Sequence, residues 1–226
     1  LDGPEGLFTD NTEMLRIASD YYKELFKKED RNDFRMNPNF FSEGEKVTTK
    51  ENINLEAPFS EDEVKKAIFD SYSDGAPGPD GIPFFFYQHF WDTVKWDLMK
   101  LLNEFHEGKL DISRLNYGII TLVPKTDEAK QIQNFRPICL LNVSFKIITK
   151  VLMNRLGKII KPIILPAQTA FIKGRYIMEG IVILHEALNS IHHSKQSVVL
   201  FKVDFEKAYD KIKWPFVIQM LKMKIS

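Results

Sequence analysis

The stretch VVLFKVDFEKAYDKIKW, residues 198–214, begins as an apolar run and then places a carboxylate, Asp204, near its middle. The segment SVVLFKVD (197–204) is rich in β-branched residues and alternates little, which predicts a strand buried on both faces. Asp204 would then lie at the C-terminal end of that strand, where ligands bind in open α/β sheets. A carboxylate buried there needs a partner, and a divalent cation makes its burial favourable. The other use for an Asp at this place is to cap a following helix, EKAYDKI. Spacing alone leaves both open.

Outward from this stretch the period alternates between strand and helix. Downstream, Pro215 suits the first turn of a last helix, WPFVIQMLKM. Upstream lie a helical pattern over 177–193 and the amphipathic segment SFKIITKVLMNRLGKII (144–160). In the latter, Phe145, Ile148, Val151, Leu152 and Leu156 face inward, and Lys146, Lys150, Arg155 and Lys158 face solvent. Before it, YGIITLVPK (117–125) and FRPICLL (135–141) read as two short strands joined by the hairpin loop TDEAKQIQN. Pro124 stops the first strand and Pro137 marks the second as an edge.

The first half of the chain is helical in period. TEMLRIASDYYKELFKK (12–28) is amphipathic, and PFSEDEVKKAIFDSY opens with Ser60 as N-cap, Glu63 completing a capping box and Phe59 stapled to Val64. A further helical pattern covers 84–108 and closes on Gly108. Between these two lies SDGAPGPDGIP (73–83), whose glycines and prolines exclude regular structure and make a joint. Residues 29–57 are polar and aperiodic, and are read as a linker.

Composition bounds the function. With 226 residues and 44% apolar content the chain can bury a sizeable core. A single cysteine, Cys139, suits a reducing compartment. Neither a signal peptide nor a run of eighteen apolar residues occurs, so the expected location is intracellular, nucleus or cytoplasm, with no secretion and no membrane partner. The first residue is Leu1 and not Met, which points to a piece of something longer. A net charge of zero conceals a polarity: residues 1–108 carry −11, residues 109–175 carry +9 and the remainder +2. The basic block is either a solvated face or a surface for a polyanion. The five histidines do not stand at zinc-ligand spacing with Cys139, and no Ser/His/Asp or Cys/His signature marks a hydrolase.

KVDFEKAYDKIKW resembles motif A of the reverse transcriptases of non-LTR (LINE-type) retrotransposons: an Asp ends a strand, an aromatic follows five residues later, and a second Asp comes directly after it. GAPGPDGIPFFFYQHFW, YGIITLVPKTDEAKQIQNFRPICLLNVSFKIITKVLMNRL and LPAQTAFIKGRYIMEG look like successive earlier blocks of the same family, in its order. The fold this implies is α+β, a partial right-hand polymerase with fingers and an incomplete palm, helix-rich, with a fingers β-hairpin and a palm strand. It would occupy residues 58–226, preceded by a linker segment, 1–57, with one amphipathic helix. The activity implied is RNA-directed DNA polymerisation, a nucleotidyl transfer in which two Mg²⁺ ions about 3.5–4 Å apart stabilise the attacking and leaving oxygens. The partners implied are an RNA template, a DNA primer and deoxynucleoside triphosphates.

Roles follow from the same resemblance. Asp204 matches a catalytic metal-ligand carboxylate, and the backbone carbonyl of Phe205 an additional metal ligand. Tyr209 matches the aromatic beneath the deoxyribose that excludes a 2′-hydroxyl; ordinary core packing is its alternative. Lys125 and Arg136 would project from one side of the hairpin over the triphosphate, Arg136 bidentately and Lys125 as a point charge. Lys146, Lys150, Arg155, Lys158, Lys173 and Arg175 would follow the template and primer backbones, each having a solvated helix face as its alternative. Gln168 and Phe171, in QTAFIKGR, match a block near the template, without a role for either side chain.

The family pattern continues beyond motif A with a strand-turn-strand bearing an Asp-Asp pair, and no Asp-Asp dipeptide occurs in this sequence. One carboxylate does not hold two Mg²⁺ ions. The expectation is therefore a truncated product, inactive by itself. Its alternatives are a non-catalytic RNA- or DNA-binding fragment and an inert pseudogene product with uncovered apolar faces. The sequence carries no signal of oligomeric state.

Overall fold

The computed structural model describes residues 2, 3, 6, 7, 10–27, 35–37, 40–195, 197–205 and 208–225. In chain order the elements are β1 (Asp2–Gly3), β2 (Gly6–Leu7), α1 (Asn11–Leu25), α2 (Thr49–Glu56), α3 (Glu61–Phe69), α4 (Phe84–His89), α5 (Trp91–His106) and α6 (Ile112–Leu115). They continue with β3 (Gly118–Pro124), β4 (Phe135–Leu141), α7 (Val143–Ile163), α8 (Ile177–Ser194), α9 (Ala208–Lys211) and α10 (Trp214–Ile225). The chain forms two compact units, Leu1–Glu29 with Ala57–Asn154, and Asp30–Glu56 with Arg155–Ser226. Among the described residues no helix is long and apolar enough to cross a membrane.

The first unit is built on helices α3, α4, α5 and the first turns of α7. Ser60 caps α3, its hydroxyl accepting from the Glu63 amide at 3.3 Å. Phe59 and Val64 are both buried in one cluster, as a hydrophobic staple requires. From α3, Val64, Ala67 and Ile68 meet Trp91, Leu98 and Leu102 of α5 and Val143, Ile147 and Val151 of α7. Leu102 is fully buried, a contribution of about 2 kcal/mol. The segment 84–108, expected as one helix, is broken at Phe90, whose backbone (φ −102°, ψ 26°) leaves the helical region. The Phe90 ring packs on Phe86 and His89 at this break. At the other end of α5, Gly108 has φ +68° and Lys109 N donates to Glu104 O at 2.9 Å, so the helix closes as its glycine predicts.

β3 and β4 pair antiparallel, from Gly118 opposite Leu141 to Pro124 opposite Phe135. Strand alternation gives the hairpin two faces. Leu122 and Phe135 lie on one face, where they and Met14, Leu15 and Ala18 of α1 line an apolar cavity of about 420 Å³. Thr121, Val123, Arg136 and Ile138 lie on the other and are exposed. α1, capped by the Asp10 carboxylate accepting from Thr12 N and Glu13 N, thus supports the back of the hairpin.

The second unit corrects two expectations. Residues 29–57, read as a linker, contain α2. Its start is a capping box: Thr48 N donates to the Glu51 carboxylate at 2.9 Å and Glu51 N donates to Thr48 Oγ1 at 3.3 Å. Val47 is buried against Ile159 and Ile163 of α7, with Leu55 and Ile225 beside them. The second correction concerns residues 197–204, expected as a doubly buried strand. They form no regular element, and Val199 and Phe201 are 89% and 84% exposed. A strand needs a ladder partner for its backbone groups, and the described residues of this unit contain no other strand.

Candidate nucleotide and nucleic-acid site

The hairpin carries the two cations expected to meet a triphosphate. Arg136 stands opposite Val123, and Lys125 two residues on extends the pairing through its amide, which donates to Asn134 O at 2.8 Å. Alternation therefore places Arg136 and Lys125 on one face at the loop end. Their side chains differ. Lys125 Nζ donates to Gln133 O at 2.7 Å, whereas Arg136 is exposed and makes no hydrogen bond or ion pair among the described residues. A free guanidinium has its planar fork of donors open to a phosphate or carboxylate.

The glycine-rich joint closes on the far end of the same hairpin. Asp80 N donates to Asn142 Oδ1 at 3.2 Å and Lys146 Nζ donates to Ala76 O at 3.0 Å. Gly78 lies so close to the exit of β4 that a Cβ there would fall on Leu141 C and Asn142 N. Gly81, at φ +71°, completes the turn, with Asp80 Oδ1 accepting from Ile82 N at 3.0 Å. Burial of Tyr87, followed by the nearby Asp80 charge, holds its hydroxyl above the ordinary tyrosine pKa.

The motif A residues belong to the second unit, the hairpin cations to the first. Asp204 and Phe205 are exposed within the irregular segment 197–205, and Tyr209, in α9, is 92% exposed. Core packing therefore does not account for Tyr209. Among the described residues no group of three or more His, Cys, Asp or Glu is placed to hold a metal ion. Asp204 offers one carboxylate where a two-ion centre needs several, so these residues do not by themselves fit a pair of ions.

The six basic residues expected along a nucleic acid separate into two kinds. Arg155 is buried, at 7% exposure, and its Nη1 donates to Leu55 O at 3.0 Å in the last turn of α2. It satisfies a helix end and is not a surface cation. Arg175 is likewise committed, donating to Lys161 O, Leu165 O, Ile164 O and Gln168 O at 2.7–2.9 Å, around the end of α7. The reason is common to both: helices leave their last carbonyls unpaired, and guanidinium offers five donors. Lys146 holds the joint. Lys158 and Lys173 are exposed and Lys150 is half-buried. Sequence reasoning missed Lys161, exposed at the end of α7 with its ammonium against Gly174.

Residues 123–225 match the family described as reverse transcriptase (RNA-dependent DNA polymerase), a family that generally uses divalent metal ions. The matched segment contains Lys125, Arg136, Asp204 and Tyr209. The chain is also 30% identical over 176 residues to the transposon TX1 uncharacterized 149 kDa protein of Xenopus laevis, covering 77% of this chain and 13% of that protein. The similarity of residues 123–225 to reverse transcriptases, together with the similarity to a transposon protein, bears out the resemblance to the reverse transcriptases of non-LTR retrotransposons.

Proposed function

We propose that this chain supplies the fingers and the first part of the palm of an RNA-directed DNA polymerase, with RNA template, DNA primer and deoxynucleoside triphosphates as its partners. The observation that carries this reading is the match of residues 123–225, which joins an open guanidinium on a supported hairpin to the carboxylate Asp204 in one family segment. Arg136 receives the triphosphate oxygens in a bidentate contact, and Lys125 exchanges its bond to Gln133 O for a phosphate. Asp204 and the Phe205 carbonyl would supply two of the oxygens of a Mg²⁺ site that needs further carboxylates to be complete. When bound, the ions stabilise developing charge on the attacking and leaving oxygens. The Tyr209 ring lies against the sugar, and Lys150, Lys158 and Lys173 follow phosphate backbones without reading sequence.

The test is primer extension on an RNA template by a protein in which this chain is joined to a palm segment carrying an Asp-Asp pair. Incorporation should require a divalent cation and fall roughly a thousandfold in Asp204→Asn, the equivalent of about 4 kcal/mol of lost charge stabilisation. The 226-residue chain alone should incorporate nothing. Activity indifferent to Asp204 in either protein would refute the assignment.

A further inference from the structure

Phe171 combines two unfavourable properties. Its ring is fully exposed, at 103% of the reference area, and its backbone has φ +64°, a left-handed conformation that a bulky residue rarely adopts. A side chain that buries nothing gives its backbone no compensation for this conformation. The loop around it is nevertheless firmly tied. Arg175 donates to Leu165 O and Gln168 O, Gln168 Nε2 donates to Ala170 O at 3.1 Å, and Arg175 N donates to Ile172 O at 3.0 Å. A braced loop presenting a strained, solvent-facing ring matches the pattern of strain kept at a contact site.

Charge points to the kind of ligand. Residues 129–178 contain nine Lys and Arg and no Asp or Glu. Two exposed members, Lys161 and Lys173, stand at this loop: the Lys161 ammonium lies against Gly174, and Lys173 is two residues from the ring. Cations that attract phosphates beside an aromatic ring open to water make the combination by which single-stranded nucleic acid is held without sequence preference.

We propose that Phe171 is a stacking platform for one unpaired base of single-stranded RNA, with Lys161 and Lys173 on the adjoining phosphates and Arg175 as the positioning residue that braces the loop. This rests on the nucleic-acid-binding part of the function proposed above and gives it a residue. The ring's two faces supply the contact and the ammonium groups supply the salt dependence.

The test titrates the full chain with a fluorescently labelled 12-mer of oligouridylate across a salt series, alongside thermal melting. Asn tolerates left-handed backbone and lacks the ring. Phe171→Asn should therefore melt at or above the parent's temperature yet bind about tenfold more weakly, with an unchanged dependence of affinity on salt. Phe171→Trp should bind at least as tightly as the parent, and Lys173→Gln should lower the salt slope by about one. Salt-dependent binding by the parent that Phe171→Asn leaves intact would overturn the stacking role while sparing the nucleic-acid reading. No salt-dependent binding by the parent would overturn that reading and this inference together. If Phe171→Asn melts lower, the Trp variant and the unchanged salt slope still decide the case, since unfolding would reduce the slope as well.

Discussion

Asn142 Oδ1 accepts a hydrogen bond from Asp80 N at 3.2 Å, linking two residues 62 positions apart. Asn142 also begins α7, its carbonyl accepting from Lys146 N at 3.1 Å, so the glycine-rich joint, the end of β4 and the start of α7 meet at one residue. Gly78 is the residue that makes the approach possible, because only hydrogen fits between its Cα and the backbone of Leu141 and Asn142. Gly78→Ala should destabilise the first unit by about 1–3 kcal/mol through overpacking against backbone that cannot move aside. Thermal melting would register this as a drop of several degrees. Gly44→Ala, where a Cβ would meet nothing within 4 Å, is the control and should melt within a degree or two of the parent.

Arg155 provides the sharpest contrast between a structural and a functional cation. Its buried guanidinium satisfies Leu55 O, so Arg155→Ala should cost about 1–3 kcal/mol by leaving that carbonyl unpaired. The salt slope of RNA binding, measured below the melting transition, should stay the same. Lys158→Gln should do the reverse, leaving stability unchanged and reducing the slope by about one.

The α2 cap makes the second unit sensitive to acid. The Thr48 hydroxyl, then the Thr48 amide, hold the Glu51 carboxyl below its ordinary pKa. A depressed folded pKa gives stability that is present above the unfolded value and lost as pH falls through the folded one. Denaturant titrations between neutral pH and about pH 3 should show the parent losing stability relative to Glu51→Gln, and equal slopes for the two would rule the cap out.

Leu102 tests the core of the first unit. It is fully buried among Trp91, Leu98 and the α7 residues, so Leu102→Ala should cost about 2–5 kcal/mol. Chemical denaturation should show the midpoint falling with an unchanged slope.

Much of this architecture is legible in local chemistry. The Ser60 cap, the Gly108 stop and the β3–β4 hairpin all follow from short-range signals that the packed structure leaves intact. The same capping signature at Thr48 and Glu51 lay in a stretch judged by its apolar periodicity, and α2 has too few apolar residues to reveal itself that way. Residues 197–204 have a strand's composition, but a strand is a pairwise structure and its partner is not encoded in its own pattern. Among site residues, the outward face of Arg136 follows from alternation along β4. Arg155 was set facing solvent because helical periodicity assigns a side to a cation without showing which helix end will meet it, and nothing in the sequence near Arg175 shows that its guanidinium gathers the carbonyls at the end of α7. The exposure of Tyr209 and the left-handed backbone of Phe171 were visible only once the chain was folded.

The hairpin's open guanidinium is the point at which structure and proposed chemistry meet, and steady-state incorporation by the polymerase completed with an Asp-Asp palm segment measures it directly. Arg136→Ala should raise KM for the deoxynucleoside triphosphate about 10- to 100-fold, as loss of a charge-assisted contact demands, with Arg136→Lys intermediate. The same variants should leave the melting temperature and the affinity for template–primer unchanged. An unaltered KM in Arg136→Ala would contradict the assignment of this hairpin to the incoming nucleotide.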